Sequence, residues 1–452
     1  MAPASTRLSG WGANIRAECV LAQPETPQQV SRVLDRAGTI ARGLGRSYGD
    51  AAINAERQVV GMTRLDRYLS FDDEAGILVC EAGTSLASII EDFVPRGWFP
   101  MITPGTKFVT IGGCIANDIH GKAHHAQGCF NTCVESMTVL LASGEVVVAS
   151  RDEHADLFWA SFGGMGLLGV ILTATLRLRR VETSYFRERA IVVQDLDQMM
   201  DALDEQDETY PYSVATLDVF ATGARLGRGV LTVGDHATRQ DLPPSLADDP
   251  LRVSGPPKLS VPFELPDFTL NPLSMRLVNA VIQRMQSGAK DIVHYEKFVF
   301  PLDFLANWNR GYGRRGFTQY QFVIPVPDAR RRMREILGTI QSAGELPFLN
   351  ILKRMGKRSE GLLSFPIEGY TFAIDFPIRP NTVDLLRKID AMVLDAGGRI
   401  YLGKDSYVEP QTFAAMYPQL PRWLEIKAKY DPEGVFTSNL GRRVGLCPPP
   451  AA

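Results

Sequence analysis

A glycine-rich loop near the amino end sets the strongest constraint on what this chain can fold into. Residues 41–50 read Ala-Arg-Gly-Leu-Gly-Arg-Ser-Tyr-Gly-Asp. The third glycine comes one residue too late for the G-x-G-x-x-G dinucleotide fingerprint, and a β-type run at 58–62 follows where that fingerprint needs a helix to hold a pyrophosphate. The loop therefore predicts either an ordinary surface turn or a nest of backbone N–H groups that holds phosphates without a helix.

Composition excludes several classes of protein. A chain of 452 residues with 45% hydrophobic content is long enough for two domains, because single cores rarely grow beyond roughly 250 to 300 residues. A net charge of −3 gives no electrostatic footprint for nucleic acid, so no nucleic-acid partner is expected. The chain has neither an apolar signal region nor a membrane-length apolar run. We expect a soluble protein without a signal peptide, cytoplasmic or held at the membrane periphery, with the periplasmic side left open.

Two further glycine clusters follow the first loop. Residues 103–122 contain a Pro-Gly turn and the pair Gly112-Gly113, and they end with His120-Gly121-Lys122. Residues 162–171 contain four more glycines. Around them the patterns predict strands at 76–83 and 170–178, helices at 85–93 and 154–162, and a hairpin at 136–149. Three such clusters in one α+β region predict backbone shaped to approach a ligand closely.

Two segments in the middle of the chain alternate as β-strands. In residues 317–325, Gln319 and Gln321 fall on one face, and in residues 371–377 Thr371, Ala373 and Asp375 do the same. The opposite faces are aromatic or aliphatic. Either the polar faces are exposed to solvent, as in many antiparallel sheets, or they line a cavity.

Several motifs, in order and at compatible spacing, resemble flavoproteins of the vanillyl-alcohol oxidase family. They occupy residues 8–12, 41–50, 112–125, 162–171, 308–313, 319–325, 375–378 and 404–406. The resemblance implies an α+β fold. A two-subdomain FAD-binding domain of the PCMH type would cover residues 1–184. At the carboxyl end, residues 402–452 would return to this domain. A substrate domain, an antiparallel β-sheet flanked by helices, would cover 185–401.

The same resemblance implies which residues contact the cofactor. The expected FAD contacts are Arg42, Gly43, Leu44, Gly45, Arg46, Ser47, Tyr48, Gly105, Thr106, Thr110, Gly112, Gly113, Ala116, Asn117, Ile119, His120, Gly121, Gly166, Gly169, Ile171 and Tyr401. Many members of the family bond FAD to a histidine in the first loop, where this chain has Arg46 instead. We therefore expect noncovalent FAD.

Active-site residues follow from the family in the same way. Lys404, Tyr48 and His120 are expected to act in catalysis, and the expected substrate contacts are Lys122, Tyr312, Gln319, Gln321, Lys353, Thr371 and Ala373. Lys404 would orient the reacting hydroxyl or accept its proton, and a solvated surface charge is the alternative. His120 has the alternative of being satisfied by its own loop. No metal is expected, because His120, His124 and His125 have no carboxylate partners in sequence.

The implied reaction is the oxidation of the ribose 2-hydroxyl of a polyprenyl (decaprenyl) phosphoryl-β-D-ribose to a ketone. An NAD(P)H-dependent reductase would complete the epimerisation to the arabinose, and oxygen or a quinone would reoxidise the flavin. Similar members carry a cysteine in place of Ala373 and an asparagine in place of Thr371, so the exact substrate stays open and thiol-trapping inhibitors should not act. The alternatives are an oxidase of a soluble sugar, alditol or aldonolactone, and a noncatalytic lipid-phosphate binding protein.

A proline-rich segment offers a further indication about the substrate. Residues 241–272 contain prolines at short intervals, so they cannot form one helix or a central strand. We predict a long loop there. It is either a poorly ordered insertion or an apolar lid that accepts a prenyl tail and brings the protein to a membrane surface.

Overall fold

The first of three large β-sheets presents the glycine loop. The computed structural model describes residues 4–218, 220–257, 259–266, 269–287, 291–345 and 349–448. The strands of this sheet are β1 (Ala4–Ser9), β2 (Arg16–Ala22), β3 (Thr39–Arg42) and β4 (Gln58–Gly61), in the order β1-β2-β4-β3. Because β3 and β4 run parallel, the chain must cross from one end of the sheet to the other between them. The loop after Arg42 begins that crossover, and no helix follows it, as predicted.

The second sheet is antiparallel and centres on one long strand. Its members are β5 (Tyr68–Asp72), β6 (Ile77–Glu81), β7 (Trp98–Pro100), β8 (Val134–Leu140), β9 (Val146–Ser150) and β10 (Val170–Arg180). The last of these pairs with β6, β7 and β8. The predicted strands at 76–83 and 170–178 and the hairpin at 136–149 are confirmed.

Helices connect these strands, and the sequence predicted two of the five. They are α1 (Pro27–Arg32), α2 (Leu86–Phe93), α3 (Ile111–Ala116), α4 (His124–Gln127) and α5 (Ala155–Ser161). The sequence indicated α2 and α5 but missed α3, because the pair Gly112-Gly113 has low helix propensity. Thr110 caps this helix by accepting the N–H of Gly113, and a side chain at Gly112 would crowd the Cβ of Ala82 at 3.1 Å. Close packing against the second sheet therefore explains the glycine.

The third sheet is drawn from residues 185–400. The strands of this region are β11 (Tyr185–Val193), β12 (Tyr212–Leu217), β13 (Gly229–His236), β14 (Leu259–Ser260), β15 (Ile292–His294), β16 (Leu305–Ala306), β17 (Phe317–Pro325), β18 (Asn350–Met355), β19 (Gly369–Pro377) and β20 (Arg399–Ile400). Eight of them form one sheet in the order β15-β11-β13-β12-β18-β19-β17-β20, while β14 and β16 make a separate parallel pair. The predicted domain boundaries at 184 and 401 stay predictions.

Helices pack on this sheet and continue to the carboxyl end of the chain. They are α6 (Leu196–Asp207), α7 (Pro244–Ala247), α8 (Pro272–Ser287), α9 (Tyr295–Val299), α10 (Ala329–Ser342), α11 (Thr382–Asp395), α12 (Pro410–Met416), α13 (Leu420–Tyr430) and α14 (Asn439–Arg443). The last helix returns to the glycine loop, where the N–H of Leu440 donates to the carbonyl of Asp50. Among the described residues, no helix has both the length and the apolar content needed to cross a bilayer.

The proline-rich segment is mostly irregular, as its prolines predict. Within 241–272 the described residues form one turn of helix, α7, and the two-residue strand β14, before α8 begins at Pro272. Part of the predicted loop, residues 258 and 267–268, lies outside the described residues. The described part of the segment is thus mostly irregular, and its role as a lid stays a prediction.

Candidate active site

The first and second glycine clusters meet at Gly43. A Cβ on that residue would collide with the Oγ1 of Thr110 at the start of α3, so only glycine lets the two segments approach. Arg42 holds the loop from beneath, since its guanidinium donates to the carbonyls of Ser9 at 2.7 Å and Ala52 at 2.9 Å. Its guanidinium is therefore occupied within the protein, and a cofactor contact of Arg42 stays a prediction.

Asn117, at the end of α3, joins further predicted cofactor residues. Its side-chain amide donates to the carbonyl of Gly113 at 2.9 Å, and its backbone carbonyl accepts from the Tyr401 hydroxyl at 3.2 Å. The Oγ of Ser47 lies 3.5 Å from its Oδ1. The third cluster adjoins the second, because the N–H of Met165 donates to the carbonyl of Ala116. All three glycine clusters thus contribute to one region.

This region fits a dinucleotide bound through backbone groups. Gly166 adopts a positive φ of 73° and lines a narrow cleft with Gly169 and Ile171. No heavy atom comes within 4 Å of a Cβ built on Gly105, so the backbone there faces open space. Backbone exposed in this way leaves N–H groups free to approach phosphate closely.

A polar face of the third sheet is buried. Gln321 lies opposite Ala373, and Gln319 lies opposite Asp375 on the paired strand. Lys353 of β18 lies opposite Thr371 on the same face. Apart from Lys353, which is half-buried, these side chains are shielded from solvent. The alternative of a solvent-exposed face is wrong.

Asp375 organises one end of this polar face. Its Oδ1 accepts from the amide of Gln319 at 2.5 Å, and its Oδ2 accepts from the hydroxyl of Tyr312 at 3.0 Å. The Tyr312 ring stacks on Phe317 with centroids 4.0 Å apart. Burial raises the pKa of Asp375, while these two hydrogen bonds and the charge of Lys404 oppose the rise. We had not predicted Asp375 as a site residue, although a carboxylate inside an apolar strand was the available signal.

His120 reaches across from the second glycine cluster to the sheet. Its Nε2 accepts from the amide of Gln321 at 3.0 Å, and that amide also donates to Thr371 at 3.0 Å. Burial lowers the pKa of His120 well below its usual value, and neighbouring cations act in the same direction, so the ring is neutral. The Nδ1 of His120 and the Oε1 of Gln321 are buried and have no partner among the described residues. The alternative of a histidine satisfied by its own loop is wrong.

Lysines surround this histidine. Burial lowers the pKa of Lys404 to about 7, with Lys353 acting in the same direction and Asp375 opposing it. Its Nζ lies 5.7 Å from the centroid of the Tyr48 ring. Burial also lowers the pKa of Lys353 to about 8. Lys404 is therefore poised to be neutral near physiological pH, unlike a solvated surface lysine.

Lys122 lies at the far end of this cationic group. Its Nζ donates to the carbonyl of Phe298 and lies 4.9 Å from the centroid of that ring. Burial lowers the pKa of Lys122 to about 8, and Lys353 contributes to the shift. Its ammonium thus points toward α9 rather than toward Asp375, and a substrate role for Lys122 stays a prediction.

Arg443 clamps two segments of the site. Its guanidinium binds both carboxylate oxygens of Asp50, at 2.8 and 3.1 Å, and the carboxylate of Asp405 at 2.8 Å. Between these acids, the N–H of Tyr48 donates to the carbonyl of Gly403 at 3.1 Å. The clamp fixes Tyr48 beside Lys404. Sequence reasoning missed it because the partners lie almost four hundred residues apart. Within the described residues, no cluster of side chains suits a metal ion.

Comparison with known proteins identifies similar chains. Two family models match, one described as FAD binding domain at residues 19–150 and one as D-arabinono-1,4-lactone oxidase at residues 272–444. A decaprenylphosphoryl-beta-D-ribose oxidase from Mycolicibacterium smegmatis is 38% identical over 449 residues, 97% of each chain. An L-gulono-1,4-lactone dehydrogenase from Mycobacterium tuberculosis is 22% identical over 457 residues, 96% of this chain and 98% of that one. The predicted α+β fold and FAD cofactor are confirmed.

Proposed function

The chain belongs to the family of FAD-dependent oxidoreductases that includes decaprenylphosphoryl-beta-D-ribose oxidase, and on this premise we propose that it oxidises the ribose 2-hydroxyl of a decaprenyl or similar polyprenyl phosphoryl-β-D-ribose to a ketone. The observation that carries the proposal is the buried polar face of Gln321, Asp375 and His120 beside Lys404. A buried polar atom without a hydrogen-bond partner lowers the stability of the fold. The presence of such atoms here favours a bound group that supplies the missing hydrogen bonds.

FAD would be held mainly by backbone. The segments around Gly43, Gly105, Gly113 and Gly166 are suited to its phosphates, because their glycines leave backbone exposed or let loops approach closely. When bound, FAD supplies the two-electron acceptor for the hydride that leaves the sugar carbon.

We propose that the FAD is noncovalent. Arg46 occupies the position of a linking histidine, and its guanidinium lies 3.9 Å over the centroid of the Trp11 ring. A guanidinium stacked in this way offers no bond to the flavin. Acid precipitation should therefore release yellow cofactor into the supernatant, measured by absorbance. Colour that stays with the protein pellet would contradict a noncovalent cofactor.

The proton of the sugar hydroxyl would pass to Lys404. Its depressed pKa leaves a neutral amine available at pH 7 and above, and general base catalysis needs an unprotonated group at the reacting oxygen. Because Gln321 donates to the Nε2 of His120, the histidine proton is on Nδ1, which can donate to an oxygen of the substrate. Tyr48 forms the wall beside Lys404. These roles are proposals from position and protonation state.

The lipid-linked substrate has further consequences. The ketone product calls for an NAD(P)H-dependent reductase as the next enzyme, and we propose that the two act in succession. A polyprenyl tail also implies work at a membrane surface, by peripheral contact. Oxygen or a quinone would accept the electrons from the reduced cofactor.

A second candidate function is the oxidation of a soluble aldonolactone. It is favoured by the match of residues 272–444 to the D-arabinono-1,4-lactone oxidase model. The lower identity to the lactone dehydrogenase, 22% against 38% for the ribose oxidase, argues against it.

An anaerobic titration followed by visible absorbance distinguishes these candidates. Polyprenyl phosphoryl ribose should bleach the flavin, whereas alditols and aldonolactones should not. Bleaching by soluble lactones alone would replace the proposed function with the second candidate. If no sugar bleaches a flavin that dithionite still reduces, the protein is a binding protein on the same fold.

A further inference from the structure

Large exposed hydrophobic side chains concentrate in one part of the chain. Thirteen are exposed among the described residues, and six of them fall between residues 259 and 304. Leu259, Phe263 and Phe304 belong to this group, with exposed fractions of 58%, 62% and 56%. Single exposed hydrophobic residues are normal on protein surfaces, but a local concentration marks an interaction site.

These three side chains project from one built structure. The short strands β14 and β16 pair in parallel, so Leu259 lies opposite Leu305, the neighbour of Phe304. The loop that carries Phe263 is held in place because Arg310 donates to the carbonyl of Val261 at 3.2 Å and to the next carbonyl at 2.9 Å. Exposure of the apolar tips is thus a property of an anchored surface.

A basic cleft of about 280 Å³ adjoins this surface. Arg7, Arg16 and Arg310 line it, and Glu264 is the acidic residue of the lining. Arg16 pairs with Glu264 at 2.8 Å, while Arg7 is exposed on β1. We name the apolar tips Leu259, Phe263 and Phe304 together with these three arginines the docking face.

The docking face connects directly to the polar face of the sheet. One 3₁₀ turn, Trp308–Tyr312, carries both Arg310 and Tyr312. Arg310 binds the loop of the docking face, and the hydroxyl of Tyr312 donates to Asp375 in the site. The docking face is therefore connected to Asp375 through a single 3₁₀ turn.

We propose that the docking face sits on an anionic lipid bilayer. Aromatic and leucine side chains enter the interfacial layer, and adjacent arginines bind anionic headgroups. The proposal rests on the proposed function in one respect, because a substrate with a prenyl tail resides in such a bilayer. The docking face would let the ribosyl phosphate enter beside Tyr312 while the tail stays in lipid.

Charge argues against a second copy of the chain as the occupant. A twofold dimer would place the same face against itself and gather the three arginines of both copies in one interface, with only Glu264 of each copy among the cleft residues to offset them. Like charges opposed at an interface are unfavourable. An anionic surface instead complements them.

Vesicle sedimentation with the flavin-loaded protein tests the proposal. Phosphatidylcholine vesicles that contain phosphatidylglycerol should bind the protein, and vesicles of phosphatidylcholine alone should bind it much more weakly. The variant Leu259→Ser/Phe263→Ser/Phe304→Ser should bind at least about tenfold more weakly. Arg7→Gln should weaken binding about fivefold.

A matched control replaces three exposed valines away from the docking face. Val146→Ser/Val148→Ser/Val192→Ser removes three other exposed apolar side chains, with exposed fractions of 53%, 42% and 55%, from β9 and β11 and should leave vesicle binding unchanged. Flavin absorbance and circular dichroism check that both triple variants are folded. Equal vesicle binding by the two triple variants, or no binding by wild type, would overturn the proposal. Concentration-dependent dimerisation that only the docking-face variant loses, without vesicle binding, would assign the surface to a second copy.

A water-soluble substrate with a short prenyl chain separates this proposal from the proposed function. The docking-face variant should oxidise it at the wild-type rate, because no bilayer is involved. If wild type does not oxidise it but still binds anionic vesicles, the proposed function fails and the docking face stands. If wild type oxidises the soluble substrate but does not bind anionic vesicles, the docking face is contradicted and the proposed function stands.

Discussion

The two faces of the paired strands β17 and β19 are both buried but chemically opposite. One face presents Phe322 and Ile374 to helices α10 and α11, whereas the other presents Gln321 and Asp375 to the glycine clusters. The apolar face gains stability from burial, while the polar face loses the hydration of its amides and carboxylate. Proteins retain such a destabilising arrangement where it serves binding or catalysis. The two faces therefore differ in the chemistry of their side chains rather than in how deeply they are buried.

The largest effect should come from Lys404→Met. We expect anaerobic flavin reduction to slow about a thousandfold, because the base beside the polar face is lost. Bound flavin should remain, since the glycine clusters are untouched. Stopped-flow absorbance measures the rate, and Lys357→Met, at an exposed lysine, is the control. A rate within threefold of wild type, on the order of experimental scatter, would remove Lys404 from the reaction.

On the apolar face, Phe322→Ala should lower the free energy of unfolding by about 3 to 5 kcal/mol through the cavity it leaves. The pH dependence of the rate should stay that of wild type, because Phe322 faces the helices. Urea unfolding measures the loss, and Ile324→Val, at about 1 kcal/mol, calibrates it. A shifted pH profile in folded Phe322→Ala would show that the faces are not separate in function.

A pair of isosteric changes compares one carboxylate from each side of the sheet. Asp375→Asn should slow flavin reduction about ten- to a hundredfold, since it weakens the acceptor for Tyr312 and Gln319. It should also move the pH profile to lower pH, because the charge of Asp375 raises the pKa of Lys404. Asp390 lies on α11 and accepts a hydrogen bond from the Tyr320 hydroxyl. Asp390→Asn should leave the pH dependence of the rate unchanged. Equal shifts in both variants would contradict the assignment.

Local sequence patterns predicted which side chains share a face of a strand. They could not predict which residues far apart in the chain pair with one another. Alternation predicted that Gln319 and Gln321 share a face, because a strand fixes that relation between neighbours. It gave no means of pairing Asp375 with Tyr312, which is 63 residues away. Arg443 meets Asp50 only because the carboxyl end of the chain returns to the first loop. Helix α3 was not predicted because its two glycines have low helix propensity, whereas close packing against Ala82 explains Gly112.

The pH dependence of anaerobic flavin reduction by polyprenyl phosphoryl ribose tests the central claim most directly. The pKa of Lys404 is lowered from its usual value to about 7, and only its neutral form can accept the hydroxyl proton. The rate in wild type should therefore rise as pH increases through about 7 and then level off, and this rise should be absent in Lys404→Met. A wild-type rate that does not change between pH 5 and 9, roughly two pH units either side of that pKa, would contradict the claim that Lys404 is the base beside the buried polar face.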